Sequence, residues 1–571
     1  MNQPTPAIVA KGAARPLPRL ALWLLCLAYV LPGFIGREPW KNADISAFGY
    51  MSALAGIAPG EPAGNWLSPA LLGQPPEFEA LLPYWLGAWA IQLAPAWMTP
   101  DLAVRLLYAL ILAFTLWACW SAVYHLARSA GAQPVAFAFG GEASPKDYAR
   151  AIADGGLLAL IACLGLAQLS HETTPALTQL LFTALLMYGF AALPFGRLKA
   201  TLAVCAGLTG LVLSGAPSMA VMQGLAGLLV LALATREPEG APAAVPTRWL
   251  IGLLLATVAV AAMAAMLDVW RWRLSAPSVD WRSWRNVSRL LLWFTWPAWP
   301  LVLWTLWRWR RQLQRPFQHR HLSLPVSFAA IAVMTTLLTP AADRSLLLAL
   351  PAMAALAAFA LPTFKRGLSA LIDWFTLLFF SGWIITIWAV WLSLQTGVPA
   401  KPAANVARII PGFEPVFSWV AFVLALLATL AWLWLVVWRT GRHRAAIWKS
   451  LVLPAGGTTL CWLLLTTLML PSFDYARSYA PMMQIIGREI GPTTCLTTES
   501  LSRAQVAALQ FHGRYVLKNA DEAANCPWLL IAKDAVPGRM AINGLNGWTL
   551  QATVRRPSDS NEVLSIYRRD P

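Results

Sequence analysis

Long apolar runs, almost free of charge, recur along most of this chain, and such a run has few folds open to it. In lipid no water satisfies a backbone N–H or C=O, so a spanning segment of about 20 apolar residues must close its hydrogen bonds on itself as an α-helix. The runs lie near 20–36, 102–127, 153–170, 175–194, 199–214, 217–235, 249–267, 288–307, 322–340, 345–363, 369–395, 413–438 and 449–470. That is about thirteen spans. The first follows Lys11, Arg15 and Arg19 and has no small-residue cleavage site, so it reads as a retained helix. The pair meeting at Ser214-Gly215-Ala216-Pro217 could be two short spans or one broken helix, and the run 83–98, with Pro95 near its end, fits an interfacial helix.

Composition agrees. Hydrophobic residues make up 58% of the 571 and charged residues 12%, at a mean hydropathy of +0.57, more apolar surface than a soluble core needs. Many of the 31 Trp stand at the ends of apolar runs, as interfacial anchors do. The net charge of +17 would suggest nucleic acid in a soluble protein. Here the basic residues sit between spans, facing lipid headgroups, and no zinc-like Cys/His spacing or aromatic-basic RNA motif accompanies them, which excludes a nucleic-acid partner.

Orientation follows from Lys and Arg. With the N-terminus inside, the inner segments carry about twice as many as the outer loops. An odd span number then places the C-terminal tail outside. Against this bias Arg271, Arg273, Arg282, Arg285 and Arg289 crowd into one outer loop, interleaved with Trp270, Trp272, Trp281 and Trp284. They read either as an interfacial anchor or as a phosphate-binding wall, since a guanidinium offers a planar fork of donors.

The domain division falls at 1–470, the membrane part, and 471–571, a small α+β tail. In the tail 479–490 patterns as an amphipathic helix, and Trp528–Ala532 and 562–567 as strands. It contains no catalytic signature. Cys26, Cys119, Cys163, Cys205 and Cys461 lie inside apolar runs, whereas Cys495 and Cys526 share the polar tail, where an oxidising compartment allows a disulfide.

The first outer loop, 37–82, is long, punctuated by Pro and Gly, and carries Glu38, Asp44, Glu61, Glu77 and Glu79. A loop of that length between spans usually works. Within it 44–57 places Phe48, Met51 and Ala55 at helical spacing, which predicts a helix along the membrane surface with Asp44 near its start. Asp44 then serves either as a helix cap, favoured by the dipole, or as a chemical group. Arg344, at a helix start where the dipole disfavours it, reads as functional.

Residues 37–44 (Arg-Glu-Pro-Trp-Lys-Asn-Ala-Asp), Gly49-Tyr50, Asn65-Trp66-Leu67-Ser68-Pro69, Gly73 and Tyr84-Trp85-Leu86 resemble the first periplasmic loop of the ArnT and protein O-mannosyltransferase group of GT-C glycosyltransferases. His171-Glu172-Thr173-Thr174-Pro175, Ser214–Pro217 and Asp343-Arg344 extend the likeness more weakly, as does the span count with an outer C-terminal module. The resemblance implies a GT-C-like fold and inverting transfer of a sugar from a polyprenyl phosphate carrier to a lipid or glycan acceptor, with lipid A suggested by the aminoarabinose branch. It implies Asp44 as the acidic residue serving the acceptor, with Tyr50 and Tyr84 lining the substrate. The pattern also departs. Ile45 stands where that group has Glu, Phe78 and Glu79 stand where it has Glu-Lys with Glu77 beside them, and Glu172 is the carboxylate nearest a second-loop Asp that is missing at Thr174. The absent Lys would contact donor phosphate, leaving Arg37, Lys41, Arg344 and the loop arginines as the cations on that side. A divalent ion held by Asp44 with Glu77 or Glu79 could supply the same charge, although nothing in the spacing demands one. A transporter or flippase for a lipid-linked substrate, or an inactive scaffold of the same fold, stays open at this point.

Overall fold

The structure is a computed structural model that describes residues 5–77, 79–234, 245–270, 280–339, 342–441, 446–519, 526–532, 545 and 547–569. The apolar runs become helices in order. α1 (Arg19–Val30) leads into a loop that carries α2 (Ala43–Leu54) and α3 (Leu82–Leu93); α4 (Pro100–Ala127) follows. Next come α5 (Pro145–Ala162), α6 (Leu164–Leu169), α7 (Pro175–Ala192), α8 (Arg197–Leu213), α9 (Pro217–Ala232) and α10 (Thr247–Met266). Then come α11 (Trp281–Phe294), α12 (Ala298–Arg308), α13 (Arg310–Leu313), α14 (Arg320–Leu337), α15 (Ala342–Leu347) and α16 (Leu350–Ala358). α17 (Arg366–Thr396), α18 (Ala400–Ile409), α19 (Trp419–Thr440) and α20 (Val452–Thr467) complete the bundle.

Among the described residues eight helices are long and apolar enough to cross a membrane, or nine if the bent pair α11–α12 is one span. The other expected spans fall on helices that are shorter or more charged. α5 carries Lys146, Asp147, Arg150 and Asp154 and breaks from α6 at Cys163; α1, α8 and α9 are short. The run 288–307 is not one straight span. α11 begins at Trp281, lays Arg282, Arg285 and Arg289 on an exposed face, and meets α12 at 86° across a break that contains Pro297. A helix with one strongly basic face belongs at an interface rather than across it.

Burial sorts the helices into centre and periphery. The span over Arg344–Thr363 is 94% buried, whereas α10, α17 and α19 are 22%, 28% and 17% buried, with their apolar faces turned out to lipid. At the centre α7 and α8 touch backbone to backbone. A Cβ at Gly189 would meet the Val204 nitrogen at 2.8 Å, and one at Gly207 would meet Leu186 backbone at 3.0 Å, so small residues set this crossing. At the end of the bundle away from the tail, Asp154 pins the N-terminal segment, accepting from Leu17 N (2.8 Å) and Trp120 Nε1 (2.9 Å).

The tail begins with α21 (Leu470–Arg477) and α22 (Ala480–Ile490), and α23 (Arg503–Phe511) crosses between its first two strands. β1 (Leu496–Glu499), β2 (Leu517–Asn519), β3 (Trp528–Ala532), β4 (Trp548–Arg556) and β5 (Asp559–Arg569) form one sheet in the order β2-β1-β3-β5-β4. The first three are parallel, β5 runs antiparallel to β3, and β4 runs antiparallel to β5. A Cys495–Cys526 disulfide, Cα atoms 5.3 Å apart, ties the entries to β1 and β3. Closing a loop with a sequence separation of 31 is worth about 3–4 kcal/mol in the chain-entropy account.

The tail docks on the first loop. Gly49 of α2 lies against Ala507 of α23, and the Phe48 and Phe511 rings meet edge to face at 4.8 Å. α2 is therefore covered on both sides rather than exposed along one. Its sequence has no polar stripe, and Ile45, Ala47, Phe48, Tyr50, Met51, Ala53 and Leu54 are all buried between the tail and the bundle. A helix that is apolar all round is a core helix.

Candidate active site

The first loop is fastened at its beginning. Asp44 lies in the first turn of α2, but its carboxylate does not cap that helix. One oxygen pairs with the Arg37 guanidinium and accepts from Trp40 N at 3.0 Å. The other accepts from both the backbone N and the hydroxyl of Thr173, each at 2.7 Å. Burial by itself would raise the Asp44 pKa, yet Arg37 and these donors outweigh it and hold the group below the usual carboxylate range. Arg37 stacks over Trp40 at 4.1 Å, and Trp40 Nε1 reaches Asp474 of the tail at 2.7 Å. Glu38 accepts from Ser478, and Lys41 pairs with Asp559 at 3.1 Å. Residues 37–44 thus join the bundle, the second loop and the tail.

Beside this joint a cavity of about 970 Å³ opens between the first loop, the bundle and the tail. Its polar lining residues include Ser46, Tyr50, Glu77, Glu79, Arg344 and, from the tail, Ser502 and Arg503. Its apolar lining residues include Met219, Met222, Val269, Leu338 and Leu348. The starts of α7 (Thr174, Pro175, Ala176) and α9 (Ala216, Pro217, Ser218) also face it, and neither Thr174 nor Ala216 caps its helix with a side chain. Their first-turn N–H groups and the positive ends of their dipoles favour an anion there. Gly215, at φ +81°, turns the chain between α8 and α9 and lets the Glu79 carbonyl approach to within 3.0 Å of where a Cβ would stand. Leu81 N then bonds Leu213 O at 2.8 Å, and Gln179 Nε2 bonds Ser214 O at 2.7 Å, clipping the returning first loop to that turn.

Of the residues singled out from the sequence, Glu77, Glu79, Tyr50, Tyr84 and Arg344 line the cavity, with the two tyrosine rings 5.3 Å apart. Arg344 pairs at 3.2 Å with Glu172, which Gln168 also holds at 3.4 Å. Burial, reinforced by the Asp44 charge, raises the Glu172 pKa against the pull of Arg344. Asp44, Arg37, Glu38 and Lys41 lie in the joint rather than along the cavity. Arg282 and Arg285 are exposed on α11 and do not line it, while Arg271 and Arg273 fall outside the described residues. The divalent-ion set does not assemble. Asp44 faces Arg37 and Thr173 while Glu77 and Glu79 face the cavity, and no three His, Cys, Asp or Glu side chains converge among the described residues.

Sequence reasoning missed Arg503. Its one local signal is Ser502-Arg-Ala-Gln505, a capping box realised in the structure that marks a helix start without saying what it faces.

No family model and no curated protein matches this sequence. Among solved structures the chain is similar to ArnT from Cupriavidus metallidurans bound to undecaprenyl phosphate, at 12% identity and a TM-score of 0.57, covering 96% of this chain and 97% of that one. The apo state of the same protein matches at 13% identity and the same TM-score, covering 96% and 98%. The chain therefore shares the fold of these ArnT structures over 96% of its length.

Proposed function

We propose that this chain transfers a sugar from a polyprenyl phosphate carrier to a lipid or glycan acceptor on the tail side of the membrane, with inversion. The observation that carries this is the mixed lining of the cavity. Its apolar residues suit a polyprenyl chain, and Arg344 and two uncapped helix starts suit its phosphate. That a protein of this fold was solved with undecaprenyl phosphate supports the same reading. The disulfide-bonded tail fits an oxidising, periplasmic side, with the N-terminus in the cytoplasm of a bacterial inner membrane.

The chemistry is one displacement. An acceptor oxygen attacks the anomeric carbon as the bond from that carbon to the phosphate oxygen breaks, the electron pair leaving with the phosphate. The acceptor proton goes to a carboxylate acting as general base. Asp44 does not suit that role, because both its oxygens are already engaged and it does not line the cavity. In this reading Asp44 positions the loop, and the base is Glu77 or Glu79. Arg344 stabilises the departing phosphate.

Binding of undecaprenyl phosphate to purified protein tests the phosphate side. The expectation is saturable binding to the wild type, weakened about 10- to 100-fold in Arg344→Gln, the worth of a charge-assisted hydrogen bond. Equal affinity in both proteins would remove the phosphate from this cavity.

A further inference from the structure

The cavity is walled on one side by the tail, a part of the chain in which the sequence shows no catalytic signature. α23 delivers Arg503 to it from a fixed direction, since Ser502 accepts from Gln505 N and the Gln505 side chain accepts from Ser502 N, so the first turn is locked. Arg503 Nε donates to the Pro75 carbonyl at 2.7 Å, the same carbonyl that the Tyr50 hydroxyl reaches at 3.0 Å, with Gln74 O at 3.2 Å from that hydroxyl. Arg503 is partly buried and lines the same cavity as Ser46, Tyr50 and Glu77. In the function proposed above Arg344 and the starts of α7 and α9 serve the phosphate, whereas this second guanidinium comes from the tail.

We propose that the tail supplies the head-group subsite of the transferase, with Arg503 binding the hydroxyl or acid oxygens of the polar group to be transferred or to receive it. This rests on the function proposed above. A guanidinium whose plane is set by a backbone carbonyl offers its remaining donors in a fixed fork, suited to paired oxygens. Tyr50 adds a hydroxyl to the same group. The tail then takes part in substrate choice and does not merely cover the site.

Two readouts on the full-length protein test this: undecaprenyl phosphate affinity in detergent, and glycosylated product in envelope lipids by mass spectrometry. Arg503→Gln is expected to reduce product at least tenfold, with undecaprenyl phosphate affinity and thermal stability unchanged, and Arg503→Lys is expected to recover part of the loss. Gln510→Ala serves as the control for docking alone, since Gln510 holds the tail to Glu61 at 2.7 Å without lining the cavity. If Arg503→Gln loses undecaprenyl phosphate affinity, Arg503 belongs to the phosphate subsite and the assignment is overturned. It is equally overturned if Arg503→Gln behaves like the wild type, or if Gln510→Ala loses product to the same degree. A wild type that binds no undecaprenyl phosphate and makes no product overturns the functional reading itself, and this inference with it.

Discussion

At the scale of single residues, Asp44 shows how a chemically suggestive side chain can be tied up by structure. Its four donors satisfy both oxygens, and its pairing with Arg37 is almost wholly removed from water. Breaking such a pair strands the partner's charge, at a cost of about 3–5 kcal/mol. Asp44→Asn should therefore lower the thermal midpoint and the yield of folded protein, while the folded fraction keeps its affinity for undecaprenyl phosphate. A variant as stable as the wild type but unable to transfer sugar would return Asp44 to the role of base. The importance of Asp44 was legible in the sequence. Its role was not, because Thr173 lies 129 residues away, and nothing local to either residue announces the contact. Arg503 was hidden for the same reason, since only the docked tail turns it toward Tyr50.

At the scale of elements, helix period alone located α2, but its depth depended on what packs against both faces. α23 covers the side of α2 that would otherwise meet water. α11 lays its basic stripe on an exposed face and breaks from α12 at 86° where the hydropathy run suggested one straight span. The joint between loop and tail carries a pH dependence of its own. Burial pushes the Asp474 carboxyl up to about 7, with Glu38 reinforcing the rise and the Trp40 hydrogen bond opposing it. The unfolded group titrates near 3.8, so between these values the native state holds the extra proton and stability falls as pH rises. Across that window the loss is on the order of a few kcal/mol and is complete above the folded pKa. Thermal midpoints measured from pH 5 to pH 8 should fall in the wild type and fall less in Asp474→Asn. Identical slopes would mean that Asp474 does not titrate in this window.

At the scale of the whole molecule, the recurring apolar runs were enough to read a polytopic helical bundle with a small α+β tail. Which runs cross and which bend or stop short depended on Pro297, on the charges of α5, and on packing that no single run reports. The fold brings the return of the first loop, the starts of α7 and α9, Arg344 and the tail around one cavity, although these segments are far apart in sequence. The central claim is that sugar transfer takes place there, with Glu77 or Glu79 receiving the proton. General-base carboxylates are worth about 10²–10⁴-fold in rate. The direct measurement is transfer by protein reconstituted in liposomes with envelope lipid extract containing carrier-linked sugar, followed by mass spectrometry of the glycosylated product. The account predicts product with the wild type and at least a hundredfold less with the double variant Glu77→Gln, Glu79→Gln, at unchanged thermal midpoint and undecaprenyl phosphate affinity. Undiminished transfer by that variant would contradict it.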